Sequence, residues 1–562
     1  MQFASSSPSG ILRPRFLLQL TVILTILITL YLTFNSDNNN NKANDSHSTT
    51  SLILSTSTST STTSHKEQST SQVAWKYSKP LSELKPCQKI FLFQFLPWWG
   101  FASEFLLFLR SKHLAQKLGY VFLPDDSNWN YGRLSDYFKI ETIDCIPPND
   151  WNDYRKAYPI KQGKNWKIDS KGRDRKRLRY SRAFLGNLDD WTREEYFNSN
   201  EVKVELQQLR EMNRLHLKEK DRWILEPSQS LPKVFETVFN DLSNVTQKVW
   251  NLNEELQEQV EELKELVGLN KPKWLKGETT TSGSGRGPII GLHIRLGDKE
   301  TEYLHDNQEM GITNEFGNLT TYLEAAHDAY RRLVSEDYPP LQDSQTEQKK
   351  RYSPNAQPTL LLMTAEPRVL KDLSILPLSK FFKLVQTPEP PPFSTTTTET
   401  EVRDESEPPP PPPPKAYSIE GGSSSASKSL KVGGYLQSDF NSKPLQERIK
   451  HSQTFVRDLT LLTLSEMDAL IVSASSNIGR LAMLIGGSEA VIGPKDPFTN
   501  QSLGGKIRSI DAHFYPTSYP SSVFEKVKDL QDLENAATLP QKEDQLKRKK
   551  NKLKGFSEKS RR

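Results

Sequence analysis

Apolar and polar positions along the chain fall into a few regular patterns. Residues 16–34, FLLQLTVILTILITLYLTF, carry no charge and no proline over 19 positions. As a helix at about 1.5 Å per residue they would span roughly 28 Å, close to the thickness of a bilayer core. Arg13 and Arg15 precede the run and Asp37 follows it, which predicts a cytosolic N-terminal stub, a retained signal anchor and a body on the far side of the membrane; a cleaved signal sequence would leave the body in the same place. Residues 89–96 (KIFLFQFL) predict a buried strand, 98–102 a turn, 103–118 a helix with Leu106, Leu109, Leu114 and Leu118 on one side, and 120–126 a second strand. That order is a β–α–β unit, with a parallel pair and a right-handed crossover. Residues 200–268 predict helix, with Val249, Leu252, Leu256, Val260, Leu263 and Val267 stepping by three and four up to Gly268. The α/β pattern then returns: strand 288–296, helix 318–334, strand 359–364, a helix from Pro367, helix 455–466, strand 468–473, helix 477–485 and strand 490–493.

Between these patterns lie stretches that cannot build a core. Residues 35–80 form a stem rich in Asn, Ser and Thr; 387–428 are an insertion with seven consecutive prolines at 408–414; the tail 526–562 turns polar and basic. The foldable parts, 85–278 and 286–525, are long enough for two α/β domains.

Composition narrows the function classes. The chain of 562 residues has a formal net charge of +5. The last 22 residues alone carry +7, so the remainder is near neutral and nucleic acid is not the expected partner. A second basic stretch, 161–182, is a solvated loop or a patch for an anionic ligand or membrane. Two cysteines, Cys87 and Cys145, rule out a disulfide-dense scaffold; in an oxidising lumen they either pair or remain buried thiols. Sequons stand at Asn44, Asn244, Asn318 and Asn500, each a candidate surface loop. No Asp-x-Asp, His-Glu-x-x-His, Gly-x-Ser-x-Gly or P-loop pattern occurs, which disfavours metal-clamped sugar transfer, metalloproteases, serine hydrolases and P-loop ATPases.

Two segments carry candidate chemistry. In 290–299, IGLHIRLGDK, strand alternation places Ile290, Leu292 and Ile294 on one face and His293 and Arg295 on the other, where Gly291 leaves room for a ligand. An Arg at the carboxyl end of such a strand grips phosphate in two-pronged fashion. Asp298, Lys299, Glu300 and Glu302 follow, offering general bases and a cation for a leaving phosphate. A surface ion-pair loop would look the same. In 468–480, DALIVSASSNIGR, a buried strand runs through a Ser-rich turn into a helix start. Ser475 or Ser476 can cap that helix, and its free amides can hold an anion. Plain capping is the alternative.

These segments resemble the motifs of one enzyme family. His293–Lys299 is similar to the H-[IV]-R-R-[TG]-D-K element of α-1,6-fucosyltransferases (glycosyltransferase family 23), a group that includes enzymes of N-glycan cores and bacterial nodulation and has protein O-fucosyltransferases as distant kin. Residues 464–480 resemble that family's late L-S-x-x-D-x-L-V-x-x-x-S-S-x-x-x-R element, 363–367 its T-D-D-P turn, and 127–131 its N-W-R-Y segment, which is likewise followed by a Cys. The resemblance implies a GT-B-like pair of Rossmann-type domains and a metal-independent, inverting transfer from GDP-fucose to a glycan or glycoprotein acceptor. It implies that Arg295 binds the β-phosphate, that His293 and Asp458 lie near guanine and ribose, that Glu366 belongs to the donor-binding set, and that the Ser475–Ser476–Asn477 turn holds the diphosphate. Gly100, in the turn before the first helix, completes the donor set. Glu302 would be the base, with Lys299 assisting the leaving phosphate and Asp298 beside them. The expected location is the Golgi membrane as a single-pass type II protein with a lumenal body. The sequence departs from the motifs at Leu296, where the family has a second Arg, and at Ala365, where it has Asp. Those departures keep open a glycan-binding protein without turnover, beside transfer to protein Ser/Thr or another glycan. An interaction protein using the poly-Pro run is the third class, although such ligands usually meet cytosolic domains.

Overall fold

The computed structural model describes residues 75–159, 177–180, 185–218, 227–276, 285–295, 319–335, 351–364, 369–387, 440–495 and 502–518. The expected anchor at 16–34, most of the stem, the insertion and the basic tail lie outside these residues. Among the described residues no helix is long and apolar enough to cross a membrane.

The fold is mixed α/β, built on parallel sheets. The elements in chain order are β1 (Trp75–Tyr77), β2 (Lys85–Pro86), β3 (Ile90–Gln94), α1 (Phe101–Lys117), β4 (Val121–Asp125), β5 (Glu141–Ile143), β6 (Cys145–Ile146), β7 (Tyr158–Pro159) and β8 (Arg177–Tyr180). There follow α2 (Leu185–Tyr196), α3 (Asn200–Lys218), α4 (Glu236–Val249) and α5 (Glu254–Val267). The second half holds β9 (Ile289–Ile294), α6 (Leu319–Val334), β10 (Thr359–Thr364), α7 (Val369–Ile375), β11 (Lys383–Gln386), α8 (Leu445–Thr463), β12 (Ala469–Val472), α9 (Asn477–Ile492) and β13 (Ile507–Ser509).

A four-stranded sheet runs β4-β3-β8-β7, and a five-stranded sheet runs β11-β10-β9-β12-β13. Every ladder in both is parallel. In the larger sheet the strands stand third-second-first-fourth-fifth in sequence order. The chain therefore winds outward from β9 in one direction, then returns to add β12 on its other side. The apolar alternation explains why both faces are covered. Ile290, Leu292, Ile294, Leu360, Leu362, Ala469 and Ile471 pack under α6 and α7 with Tyr322, Leu323 and Leu373. Ile289, Leu361, Met363, Leu470 and Val472 face the opposite core with Leu462 of α8 and Leu481 of α9. Strands buried on both faces read as near-continuous apolar runs, as these do.

The two sheets share that second core. Trp129 stacks on Phe95 at 4.5 Å and on Phe101 at 5.0 Å, and Phe101 reaches Phe455 of α8 at 5.2 Å. Tyr131 stacks on Phe440 at 5.1 Å, and Arg448 of α8 donates to the Asn130 carbonyl at 2.8 Å. The segment 127–131 thus joins the first sheet to α8. At the amino ends of the larger sheet, fully buried Asp468 accepts from Arg286, Tyr352 (2.7 Å), Lys273 (2.9 Å) and the Ile289 amide (2.9 Å). Burial works against this carboxylate's charge, but Arg286 and Lys273 hold its pKa below the ordinary value.

Several expectations need correction. Ordered structure begins before residue 80: β1 pairs with β5, and buried Trp75 meets Trp151 edge-on at 4.5 Å. The helix expected over 200–268 is interrupted: Val249 ends one helix, and the next starts at Glu254, because Asn253 caps it by accepting from the Leu256 amide at 3.0 Å. The helix expected at 455–466 begins ten residues earlier, at Leu445. Residues 490–493 form no strand: Ala490–Ile492 close α9 after a break at Gly487, whose φ is 82°. The last strand among the described residues is instead Ile507–Ser509, against which Gly486 packs so closely that a Cβ would lie 2.1 Å from Ile507. Asn244 is exposed on helix α4, not on a loop; the other three sequons lie outside the described residues.

Cys87 and Cys145 form a disulfide beside the β2–β6 pair. It closes a loop of 58 residues, for which chain entropy suggests about 4 kcal/mol. A Cys87→Ser/Cys145→Ser variant should lose about that much in denaturant titration. An unchanged midpoint would show that the link does not contribute to stability.

Candidate functional site

The strand order locates the site. Between β9 and β12 the direction of winding reverses, and in open parallel sheets ligands bind outside the carboxyl ends of strands at that point. His293 and Arg295 stand at the end of β9. The turn 473–476 leaves the end of β12 and opens α9, whose Ser476 is the N-cap with its Oγ accepting from the Ile478 amide at 3.3 Å. The register Ala469↔Ile290, Leu470↔Gly291, Ile471↔Leu292 carries these two ends side by side.

The first half of the chain reaches the same place. Gly100 is the N-cap of α1, and Ser103 in its first turn accepts from Asn477 Nδ2 at 2.6 Å. Asn477 Oδ1 accepts from Arg480. Arg480 also donates to the Thr517 carbonyl at 2.9 Å and lies over the Tyr515 ring at 4.1 Å. Two helix N-termini, α1 and α9, therefore meet beside the end of β9, and both favour negative charge.

His293 is 3% exposed. Burial, then the neighbouring Arg295 charge, depress its pKa to about 3. It is a neutral ring at physiological pH, and its Nδ1 has no hydrogen-bond partner among the described residues. A buried polar atom left unpaired is costly unless something else satisfies it. Arg295 is half-buried at the strand's end.

Gly291 does not open space for a ligand. A Cβ there would come within 2.8 Å of Leu462, 3.0 Å of Leu470 and 3.3 Å of Met467. Its lack of a side chain lets α8 pack against the sheet. The two serine hydroxyls are committed within the protein as well: Ser476 caps α9, and Ser475 Oγ donates to Asp511. What the turn offers an anion is its backbone and the dipole of α9. Asp458 is buried on α8, bonded to Thr387 at 2.6 Å and Arg457 at 2.8 Å. Thr387 follows β11, two strands from β9, so this bond ties Asp458 of α8 to the β11 edge of the sheet. Burial raises its pKa against the opposing pull of Arg457. Asp298, Lys299, Glu302 and Glu366 lie outside the described residues, as do Leu296 and Ala365. Among the described residues no group of three or more His, Cys, Asp or Glu side chains could hold a metal ion.

Three residues here escaped sequence reasoning. Tyr322 of α6 brings its hydroxyl within 2.5 Å of Ser473 Oγ. Asp511 follows β13, and placing that strand at 490–493 hid it. Arg480 stood in the quoted motif with no role assigned; its spacing of three from Asn477 on a helix was the available signal.

The depressed pKa of His293 has a measurable sign. The unfolded ring binds a proton below its ordinary pKa of 6.5, whereas the folded one resists until about 3. Stability is therefore present above that range and falls as pH drops through it. Between pH 6.5 and 5 the loss from this residue is about 1.6 kcal/mol. In denaturant titrations at those two pH values, His293→Asn should shrink the acid loss by about that amount. An equal loss in both proteins would refute the neutral-histidine assignment.

No family model matches the sequence, and no curated protein matches it. The chain is similar to solved fucosyltransferase structures. One is an Arabidopsis thaliana FUT1 mutant in complex with GDP, at 12% identity over 72% of this chain and 70% of that chain, with a TM-score of 0.32. Another is NodZ α-1,6-fucosyltransferase soaked with GDP-fucose, at 12% identity over 71% of this chain and 92% of that one, with a TM-score of 0.29. A third, fucosyltransferase NodZ from Bradyrhizobium, is 12% identical over 70% of this chain and 91% of that one, with a TM-score of 0.28.

Proposed function

We propose that this protein is an inverting, metal-independent fucosyltransferase that uses GDP-fucose as donor and a glycan as acceptor, most simply the core GlcNAc of an N-glycan through an α-1,6 linkage. The observation that carries the proposal is the pairing of β9 with β12. It brings the end of the His293–Arg295 strand beside the Ser-rich turn, at the point where the sheet's winding reverses. Those two segments are the ones that resemble the family's motifs.

In this proposal the protein has a GT-B-like pair of Rossmann-type domains with the donor between them. The Arg295 guanidinium grips the β-phosphate, and the start of α9 with Asn477, backed by Gly100 and α1, receives the rest of the diphosphate. His293 lies toward the nucleoside, with Glu366 and Asp458 further along. Glu302 removes the acceptor hydroxyl proton; the acceptor oxygen then bonds to the fucose anomeric carbon from the face opposite GDP. The C–O bond to the β-phosphate breaks, and GDP leaves with its charge stabilised by Arg295 and Lys299, with Asp298 close by. The body would stand in the Golgi lumen on a type II anchor at 16–34. The departures at Leu296 and Ala365 support a second reading, a glycan-binding protein that holds GDP without turnover.

The deciding experiment is thermal stability of the purified protein with GDP, UDP, ADP or CMP, and with Arg295→Ala. At a hundredfold excess over Kd, the preferred nucleotide should add about 2.7 kcal/mol. GDP alone should do so, and Arg295→Ala should abolish the gain. No response to any nucleotide from folded protein would reject the donor site. Binding without fucose release or transfer would select the second reading.

A further inference from the structure

Asp511 lies two residues past the end of β13, 4% exposed, and it accepts from the turn next door. The Ser475 hydroxyl donates to Oδ2, the Ser475 amide to Oδ1 at 3.4 Å, and the Ser509 hydroxyl to Oδ1 at 3.1 Å. Ser509 Oγ in turn accepts from the Ala474 amide at 3.0 Å. The Ser475 amide and hydroxyl are thus held by the Asp511 carboxyl, while the Ala474 amide is held by Ser509, which that same carboxyl orients. A buried carboxyl group is costly unless its hydrogen bonds are made. Burial raises the pKa of Asp511, and hydrogen bonds from Ser475, Ser509 and Ala474 pull it the other way.

We propose that Asp511 is a positioning residue for the nucleotide site: it fixes the turn between β12 and α9, and so sets where the first turn of α9 stands relative to Arg295. The proposal rests on the donor-site assignment above and adds a residue that touches no substrate. Ser475 belongs to the same device, its hydroxyl turned inward as the turn's anchor.

The test is GDP affinity by calorimetry on the full chain and its variants. Asp511→Ala and Ser475→Ala should each weaken GDP about tenfold, and the double variant should weaken it no further, because coupled residues are not additive. Asp511→Asn, which keeps an acceptor and the shape, should stay within about threefold of wild type. Tyr352→Phe disturbs the Asp468 cluster at the opposite end of the same sheet; it should lower thermal stability and leave GDP affinity unchanged, which separates positioning from general loosening. If Asp511→Ala does not fold, Ser475→Ala decides. GDP binding that survives the Asp511 and Ser475 variants but is lost in Arg295→Ala overturns this inference alone. Wild-type protein that binds no nucleotide overturns the donor site and this inference with it.

Discussion

The arrangement of the site depends on one ladder, the parallel pairing of β9 with β12. Parallel neighbours in a sheet need long connections, and here the connection from β9 passes through α6, β10, α7, β11 and α8 before β12 arrives. Because β10 already occupies one side of β9, β12 must take the other. His293, Arg295 and the serine turn meet there as a consequence of topology, although more than 170 residues separate the two segments in the chain.

Much of this was legible in sequence. The strands of the larger sheet are runs such as IIGLHI, TLLLMT and ALIV, whose composition leaves little alternative to buried β-structure. The helices α1, α6 and the first half of α9 announce themselves by apolar spacing. The failures have physical causes. In the stretch AMLIGGSEAVI two glycines interrupt a helix whose second piece is as apolar as a strand, so periodicity could not tell them apart. Misplacing that one element hid β13 and, with it, Asp511. Gly291 was misjudged because a missing side chain looks the same from sequence whether the space is filled by ligand or by Leu462 and Met467. Which hydroxyl caps α9 and which turns inward was likewise invisible until the neighbouring strand was in place.

The two ends of the larger sheet treat buried charge differently. Asp468 at the amino end is surrounded by Arg286, Lys273 and the Tyr352 hydroxyl, and its charge is neutralised where it stands. Asp511 at the carboxyl end is met by serine hydroxyls and amides. The first arrangement welds strands and loops into a rigid base. The second holds a turn in shape while leaving the cation, Arg295, to stand at the neighbouring strand end.

The bond between Asn477 and Ser103 joins groups 374 positions apart, and it has a bearing on how the molecule comes into being on the ribosome. A chain emerging amino end first presents the first sheet and α1 long before α9 exists. The closing segment then ties back to early helices: the Ser518 amide reaches Asp189 at 3.1 Å, the Phe514 amide reaches the Ser230 carbonyl at 2.8 Å, and the Ser509 amide reaches Ser230 Oγ at 3.0 Å. A nascent chain halted short of about residue 518 would lack these ties. The aromatic group around Phe101 and Trp129 is built mostly from its own neighbours, Phe95, Tyr131 and Tyr137, and receives Phe455 only when α8 has been made. The junction of β9, β12 and the start of α9 therefore takes its final form only after β13 and the segment that follows it have been translated.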